Sequence, residues 1–85
     1  MRIDKWLWTV RLFKSRSLAT SACKEKRVKI AGQNIKPARE IKIGEEVEVA
    51  IGFKWKTFKV LDLPKNRLPA KLTPDYIKLL SEREY

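Results

Sequence analysis

The chain has 85 residues, with 20 Lys/Arg against 10 Asp/Glu, no His and one Cys. Without His, and with a single Cys, the usual zinc ligand sets, disulfide frameworks and His-dependent nucleophile pairs are excluded. A formal charge of +10 on a chain that is 44% hydrophobic describes one small folded domain whose partner is a polyanion.

Met1 to Val10 mixes charge with tryptophan, unlike a cleavable signal peptide, and no segment offers the roughly 20 apolar residues of a membrane span. With Cys23 as a free thiol, a reducing cytoplasmic location is expected and no membrane partner. Asp4 is placed to cap a first helix running to about Phe13, with Ile3, Trp6, Leu7, Val10 and Phe13 on its core side. Trp8 and Leu12 fall on the opposite side. Ser15 caps a second helix reaching about Lys26, whose buried stripe is Leu18, Ala19, Ala22 and Cys23. Arg16, Thr20 and Lys24 lie on its outward side at i, i+4 and i+8.

At Arg27 the pattern changes from helical to alternating. Val28 and Ile30 point inward from a short strand, and Arg27 and Lys29 outward. Ala31 to Asn34 reads as a turn and Ile35-Lys36 as a returning strand stopped by Pro37. Val47, Val49 and Ile51 form the inner side of a further strand, with Glu46 and Glu48 outside. Gly52 to Lys54 turns the chain into a last strand over 55–61, with Phe58 and Val60 inward. A basic connection punctuated by Pro64, Pro69 and Pro74 follows. Thr73-Pro74-Asp75 then predicts the start of a C-terminal helix carrying Tyr76, Ile77, Leu79 and Leu80 toward Tyr85. The expected organisation is one unit over 1–61, with the connection and helix of 62–85 packed on the same domain.

Charge is segregated along the chain. Residues 1–29 carry nine cations against Asp4 and Glu25, whereas 40–52 set Glu40, Glu45, Glu46 and Glu48 against Lys42 alone. Residues 53–72 turn basic again. The blocks predict a positive face with an acidic strand turned away from it.

Two short helices, a basic hairpin and a glycine-led strand, in this order, resemble the S4 RNA-binding domain family. The residues that carry the resemblance are Arg2-Ile3-Asp4-Lys5 and Leu7, Ser15-Arg16 and Ala19, Arg27-Val28-Lys29-Ile30 with Gly32, Lys36-Pro37, and Ile43-Gly44-Glu45-Glu46-Val47. The opening Met1 to Trp8, with Arg11-Leu12-Phe13-Lys14-Ser15-Arg16, is similar to the family's free-standing bacterial branch. That branch includes a fifteen-kilodalton ribosome-associated heat-shock protein and small proteins of ribosome-associated quality control. The family usually has Gly where this chain has Lys26 and favours Asn where it has Ala31, so a reshaped helix exit and a weakened turn are expected.

The resemblance implies an α+β fold of the S4-like (alpha-L) type: two packed N-terminal helices on a small, bent, mainly antiparallel sheet, plus the C-terminal helix. It implies binding without catalysis or cofactor. The partners would be ribosomal RNA of the large subunit and tRNA or peptidyl-tRNA, in rescue or recycling of stalled subunits. An RNA-targeting adaptor for a separate modifying enzyme is the alternative, and a binder of anionic membrane or acidic protein ranks third. A monomer is expected.

Arg16 is the first candidate contact, because a guanidinium beside free N–H groups at a helix start addresses one phosphate together with them. Its other reading is a solvated or Asp4-paired arginine. Arg2, Lys5, Arg11, Lys14 and Lys24 complete the patch that would supply salt-dependent affinity, and Arg27 and Lys29 would track a backbone from the strand. Asp4, Ser15 and Thr20 support these cations, Asp4 either as a helix cap or by fixing Arg16 or Lys5. Trp8 either stacks on an unpaired base or docks the C-terminal helix, and a thin domain's need for burial favours docking. Cys23 is read as a small core residue. The Lys65–Lys71 connection is either a second RNA-contacting arm or a solvated loop.

Overall fold

The computed structural model describes residues 1–84. Helix α1 spans Ile3–Thr9 and α2 spans Arg16–Lys24; five strands follow, β1 (Val28–Ile30), β2 (Gln33–Asn34), β3 (Glu46–Ile51), β4 (Lys54–Val60) and β5 (Ile77–Glu84). All pairings are antiparallel, in the order β2-β1-β3-β4-β5.

Helix α1 begins without a side-chain cap. Its first N–H groups are instead taken by the loop before β3: Ile3 donates to the Arg39 carbonyl (2.7 Å) and Asp4 to that of Pro37 (3.3 Å). The expected run to Phe13 stops at Thr9, because Arg11 turns left-handed (φ 67°). The Arg11 N–H then reaches the Trp8 carbonyl and the Leu12 N–H that of Leu7, each at 3.0 Å. This pair of bonds is the Schellman closure, which leaves no helical path onward.

Helix α2 starts as expected, with Ser15 Oγ accepting from the Leu18 N–H at 3.1 Å. It ends by the same closure: Lys26 N–H to Cys23 (3.2 Å) and Arg27 N–H to Ala22 (2.9 Å), with Lys26 at φ 62°. The exit is therefore not reshaped; a lysine takes the conformation that glycine would take more cheaply. A left-handed non-glycine residue costs roughly 1–2 kcal/mol, and the Lys26 side chain is exposed. Lys26→Gly should raise the urea midpoint by about 1 kcal/mol of stability at unchanged m-value, and a lowered midpoint would refute this. Ala31 (φ 53°) and Gly32 (φ 75°) likewise form a two-residue hairpin turn, the signature of type I′. The returning strand consequently begins at once, at Gln33–Asn34, and not at Ile35-Lys36.

The main departure lies after residue 69. Ala70–Asp75 is a 3-10 helix enclosing Pro74, and the segment beyond it is the strand β5, not a helix. The Leu61 N–H bonds to the Tyr76 carbonyl (2.8 Å), which delivers the chain to the free edge of β4. A C-terminal helix would have left that edge's N–H and C=O groups open, and one of about ten residues is marginal by itself. Strand pairing satisfies them. It also sets Lys54 and Lys56 opposite Glu84 and Glu82, with Glu82 carboxylate oxygens 3.7 and 3.9 Å from the two ammonium groups. The expected helix's last residue, Tyr85, lies outside the described residues.

Both helices cover one face of the sheet. The core joins Ile3, Trp6, Leu7 and Val10 of α1, Ala19, Ala22 and Cys23 of α2, and Val28, Val47, Val49, Phe58 and Val60 of the strands. Ala19 and Ala22 are fully buried, and their small size lets the helices approach closely. Leu18, expected in this stripe, is exposed. The 62–76 connection is fastened across the end of α1: Leu68 is buried and its N–H bonds to the Thr9 carbonyl (3.0 Å).

Candidate nucleic-acid interface

The centre of the candidate interface is a buried carboxylate between the helices. Asp4, only 2% exposed, gathers four donors from both sides. Arg2 gives it two bonds, Nε to Oδ1 (3.2 Å) and Nη2 to Oδ2 (3.0 Å). Thr20 Oγ1 donates to Oδ2 (3.1 Å), the Lys5 N–H to Oδ1 (2.7 Å), and Arg16 Nη2 lies 3.4 Å from Oδ1. Burial alone would raise its pKa. The Thr20 bond, the Arg2 bond and the two guanidinium charges outweigh it, and the group titrates below the ordinary aspartate value.

Asp4 is therefore not the N-cap residue of α1, which is Arg2, although it takes one first-turn N–H, that of Lys5. It is the partner that fixes the cations, the other role open to it in the sequence. Arg2 bridges both oxygens of the carboxylate and Arg16 lies against Oδ1, and each keeps nearly half of its side chain in solvent (48% and 46%). Two guanidinium groups beside one carboxylate, with N–H groups left over, have the chemistry to address an anion together. The start of α2 lies directly behind Arg16, and Lys24 stands exposed two turns further along. Lys5 is half-buried on α1, and Lys14 is exposed in the loop before Ser15.

Three of the expected contacts are engaged elsewhere. Arg11 Nη1 donates to the Leu68 carbonyl (3.2 Å), holding the connection. Arg27 Nη2 donates to Ala50 of β3 (3.1 Å), and its Nη1 lies 3.4 Å from Glu25. Lys29 sits on the sheet face away from the helices, its Nζ 5.2 Å from the centre of the Trp55 ring. It is not part of the Arg2–Arg16 cluster. That outer face also carries the acids, with Glu46 opposite Lys59 and Glu48 opposite Lys29 and Thr57. A concavity of about 540 Å³ there is lined by Glu45, Glu46, Glu48, Leu80 and Arg83 among others. Glu46 and Glu48 thus lie on the face away from the Asp4 cluster, but the charges of Lys29, Lys59 and Arg83 offset theirs there, and Glu40 pairs with the N-terminal ammonium, so the expected acidic face is only partly realised.

Trp8 does not dock a C-terminal helix. The Arg67 guanidinium lies 5.5 Å from its ring centre, and donates to the carbonyls of Trp8 (3.3 Å) and Phe13 (3.5 Å). A cation on the last carbonyls of a helix is favourable there, and Arg67 thus anchors the connection as Arg11 does from the other side. Sequence reading missed two further arginines: Arg67 itself and Arg39, whose two Nη atoms fork onto Glu45 at 3.1 and 2.7 Å. That fork holds the Glu45 carboxyl below its usual range. Nothing local in the sequence marks either arginine, since their partners are 6 and more than 50 residues away. Cys23 is buried, and burial, with Asp4 nearby, pushes its thiol up to about 11. A thiol so protonated is unreactive at neutral pH. Among the described residues no group of three His, Cys, Asp or Glu is placed to hold a metal ion, and no helix is long and apolar enough to cross a membrane.

A family model for the S4 domain matches residues 1–47, the stretch from α1 to the opening of β3 that builds the Asp4 cluster. The chain belongs to the S4 domain family. Over 83 residues this S4 chain is 34% identical to the RQC P-site tRNA stabilizing factor of Listeria innocua serovar 6a, covering 98% of itself and 90% of that protein. It is 35% identical over 72 residues to the heat shock protein 15 homolog of Aeromonas salmonicida, covering 85% of itself and 54% of that relative. It thus spans about half the length of that heat-shock relative. The solved trimeric structure of Vibrio cholerae heat shock protein 15 superposes with a TM-score of 0.90 at 30% identity, over 95% of this chain and 82% of that one.

Proposed function

We propose that this S4 domain binds structured RNA on the large ribosomal subunit, ribosomal RNA together with tRNA, and serves the rescue or recycling of stalled subunits that carry peptidyl-tRNA. The observation that carries the reading is the pair of half-exposed arginines, Arg2 and Arg16, fixed on one buried carboxylate. An RNA backbone is an array of phosphates, and a preorganised fork engages one with little loss of side-chain freedom. Lys5, Lys14 and Lys24 extend the positive field along the helices, and Arg27 borders it where α2 gives way to the first strand. The relative named as a P-site tRNA stabilizing factor supports tRNA as one of the partners. The domain acts by holding RNA and does no chemistry of its own.

The test is sucrose-gradient sedimentation of lysate from cells expressing the wild type or Arg16→Ala, at low and moderate salt. The wild type should travel with the large subunit, above all with subunits retaining peptidyl-tRNA, and should be released as salt rises. Arg16→Ala should stay near the top while remaining folded, because its bond to Asp4 is long and half-exposed and contributes little to stability. A wild type that remains at the top at low salt would overturn the ribosomal assignment.

A further inference from the structure

The turn between β3 and β4 consists of two residues, Gly52 and Phe53, flanked by the pair Ile51–Lys54. Only Gly52 has positive φ (62°), the pattern of a type II′ hairpin, in which the second turn position accepts small polar residues readily. Here that position is a phenylalanine with 87% of its surface in water. The turn does not require it and the core does not use it. The other exposed apolar side chains are exposed by 38–60%, so Phe53 stands apart. It is also rigidly presented, since β3 and β4 are paired along their full length and β4 is covered by β5 on its other side.

The charges around the tip point to its partner. Arg27 donates to Ala50 of β3 (3.1 Å), and the Ala50 N–H returns a bond to the Arg27 carbonyl (2.8 Å). These bonds bring the exit of α2 to the same end of the sheet as the hairpin tip. Lys24 and Lys26 therefore lie toward that end, exposed and with no ion pair among the described residues, whereas Glu25 is taken by Arg27 and Glu82 by Lys54. The tip continues the basic side that begins at Arg16 and runs down α2 through Lys24. An apolar protein partner would bury a patch of several side chains, whereas a single aromatic ring among cations fits a single unpaired base.

We propose that Phe53 is a stacking residue that inserts against an unpaired base of the bound RNA, while the cations at the exit of α2 hold the flanking phosphates. This inference rests on the RNA-binding reading above and adds to it the preference for an unpaired base at one end of the interface. Its geometry is independent of Asp4 and Arg16.

The test measures binding of the full chain to an RNA hairpin whose loop carries 2-aminopurine, and to a blunt RNA duplex of equal length. Phe53→Ala should weaken binding to the hairpin by about tenfold, abolish the fluorescence change on binding, and leave duplex affinity unaltered. Phe53→Trp should restore both hairpin signals and Phe53→Leu should not, because leucine is apolar but has no face to stack. The slope of log affinity against log salt should be the same in Phe53→Ala as in the wild type and shallower by about one in Arg16→Ala. Equal hairpin binding by wild type and Phe53→Ala overturns this inference alone, and so does self-association of the wild type that Phe53→Ala abolishes. Failure of the wild type to bind either RNA overturns the reading beneath it.

Discussion

Asp4→Ala should cost the fold about 2–3 kcal/mol, the order expected when charge-assisted hydrogen bonds to a buried carboxylate are lost. The carboxylate ties α1 to α2 through Thr20 and Arg16 and orders Arg2 beside them. Its removal leaves the Lys5 N–H without its 2.7 Å acceptor, and two guanidinium groups face each other with nothing between them. Both arginines are half in water, which limits the damage below that of an orphaned buried charge. Asp4→Asn should fall between wild type and alanine, since an amide oxygen can still accept from Thr20 or Lys5. The measurement is urea unfolding followed by tryptophan fluorescence at pH 7. An Asp4→Ala midpoint equal to that of the wild type would show that the cluster does not join the helices.

The same cluster fixes a pH dependence. The Asp4 carboxyl titrates lower in the folded chain than its ordinary value near 3.8, so the unfolded chain binds the proton more readily. Its contribution to stability is fully present above the unfolded pKa and is lost as pH falls through the folded one. Wild type and Asp4→Asn should therefore differ most near neutrality and converge in acid below pH 4. Parallel stability curves down to pH 2 would assign the acid sensitivity elsewhere, for instance to Glu45 on Arg39.

Several of these features were legible in the residues and others were not, for reasons that separate by range. Ser15 was readable as a cap because its partner, Leu18, is three residues away. The stripe of Ile3, Trp6, Leu7 and Val10 was readable because burial on one helix face imposes its own period. Asp4 stood at the right place for either a cap or a cation partner. Choosing between them requires Thr20 and Arg16, 16 and 12 residues on, which only the packing of α1 on α2 brings close. The end of α1 was hidden because Schellman closures are signalled by glycine and Arg11 is not one, whereas the end of α2 near Lys26 was readable from the change of period at Arg27.

The C-terminal segment shows a different limit. Tyr76-Ile77-Lys78-Leu79-Leu80 fits a helix face, and the Thr73-Pro74-Asp75 start reinforced that period. The same run fits a strand with a bulge, and the register shift opposite Thr57/Phe58 is where the two apolar neighbours Leu79 and Leu80 are accommodated. Short apolar runs do not decide between these periods. The open edge of β4 decided it, through backbone groups that no side-chain pattern displays. On the binding side, Arg16 stood out by its position, whereas Arg2 and Arg11 looked equivalent to each other within one patch and Arg27 looked like a strand contact. The carbonyl partners of Arg11 and Arg27, Leu68 and Ala50, lie 57 and 23 residues away, so a cation's charge was readable but not its employment.

Trp6→Ala should be the most damaging single change in the core, costing about 3–5 kcal/mol. Trp6 is the largest of the fully buried side chains, and in a chain of this length that cost is a large share of the roughly 0.05–0.15 kcal/mol per residue of total stability. Trp6→Phe makes the sharper test. The indole Nε1 of Trp6 is buried and has no hydrogen-bond partner among the described residues, so tryptophan stabilises the core by its area while carrying an unsatisfied donor. Phenylalanine gives up part of that area but removes the orphaned N–H, whose burial costs about 1–3 kcal/mol. The two effects oppose, and Trp6→Phe should lose less than about 1.5 kcal/mol, the range of volume-conserving core changes. Trp6→Leu keeps less of the area than phenylalanine and no ring, and should fall between phenylalanine and alanine. Thermal unfolding of the three variants checks the order, and a phenylalanine variant as unstable as the alanine one would mean that Nε1 is satisfied in solution.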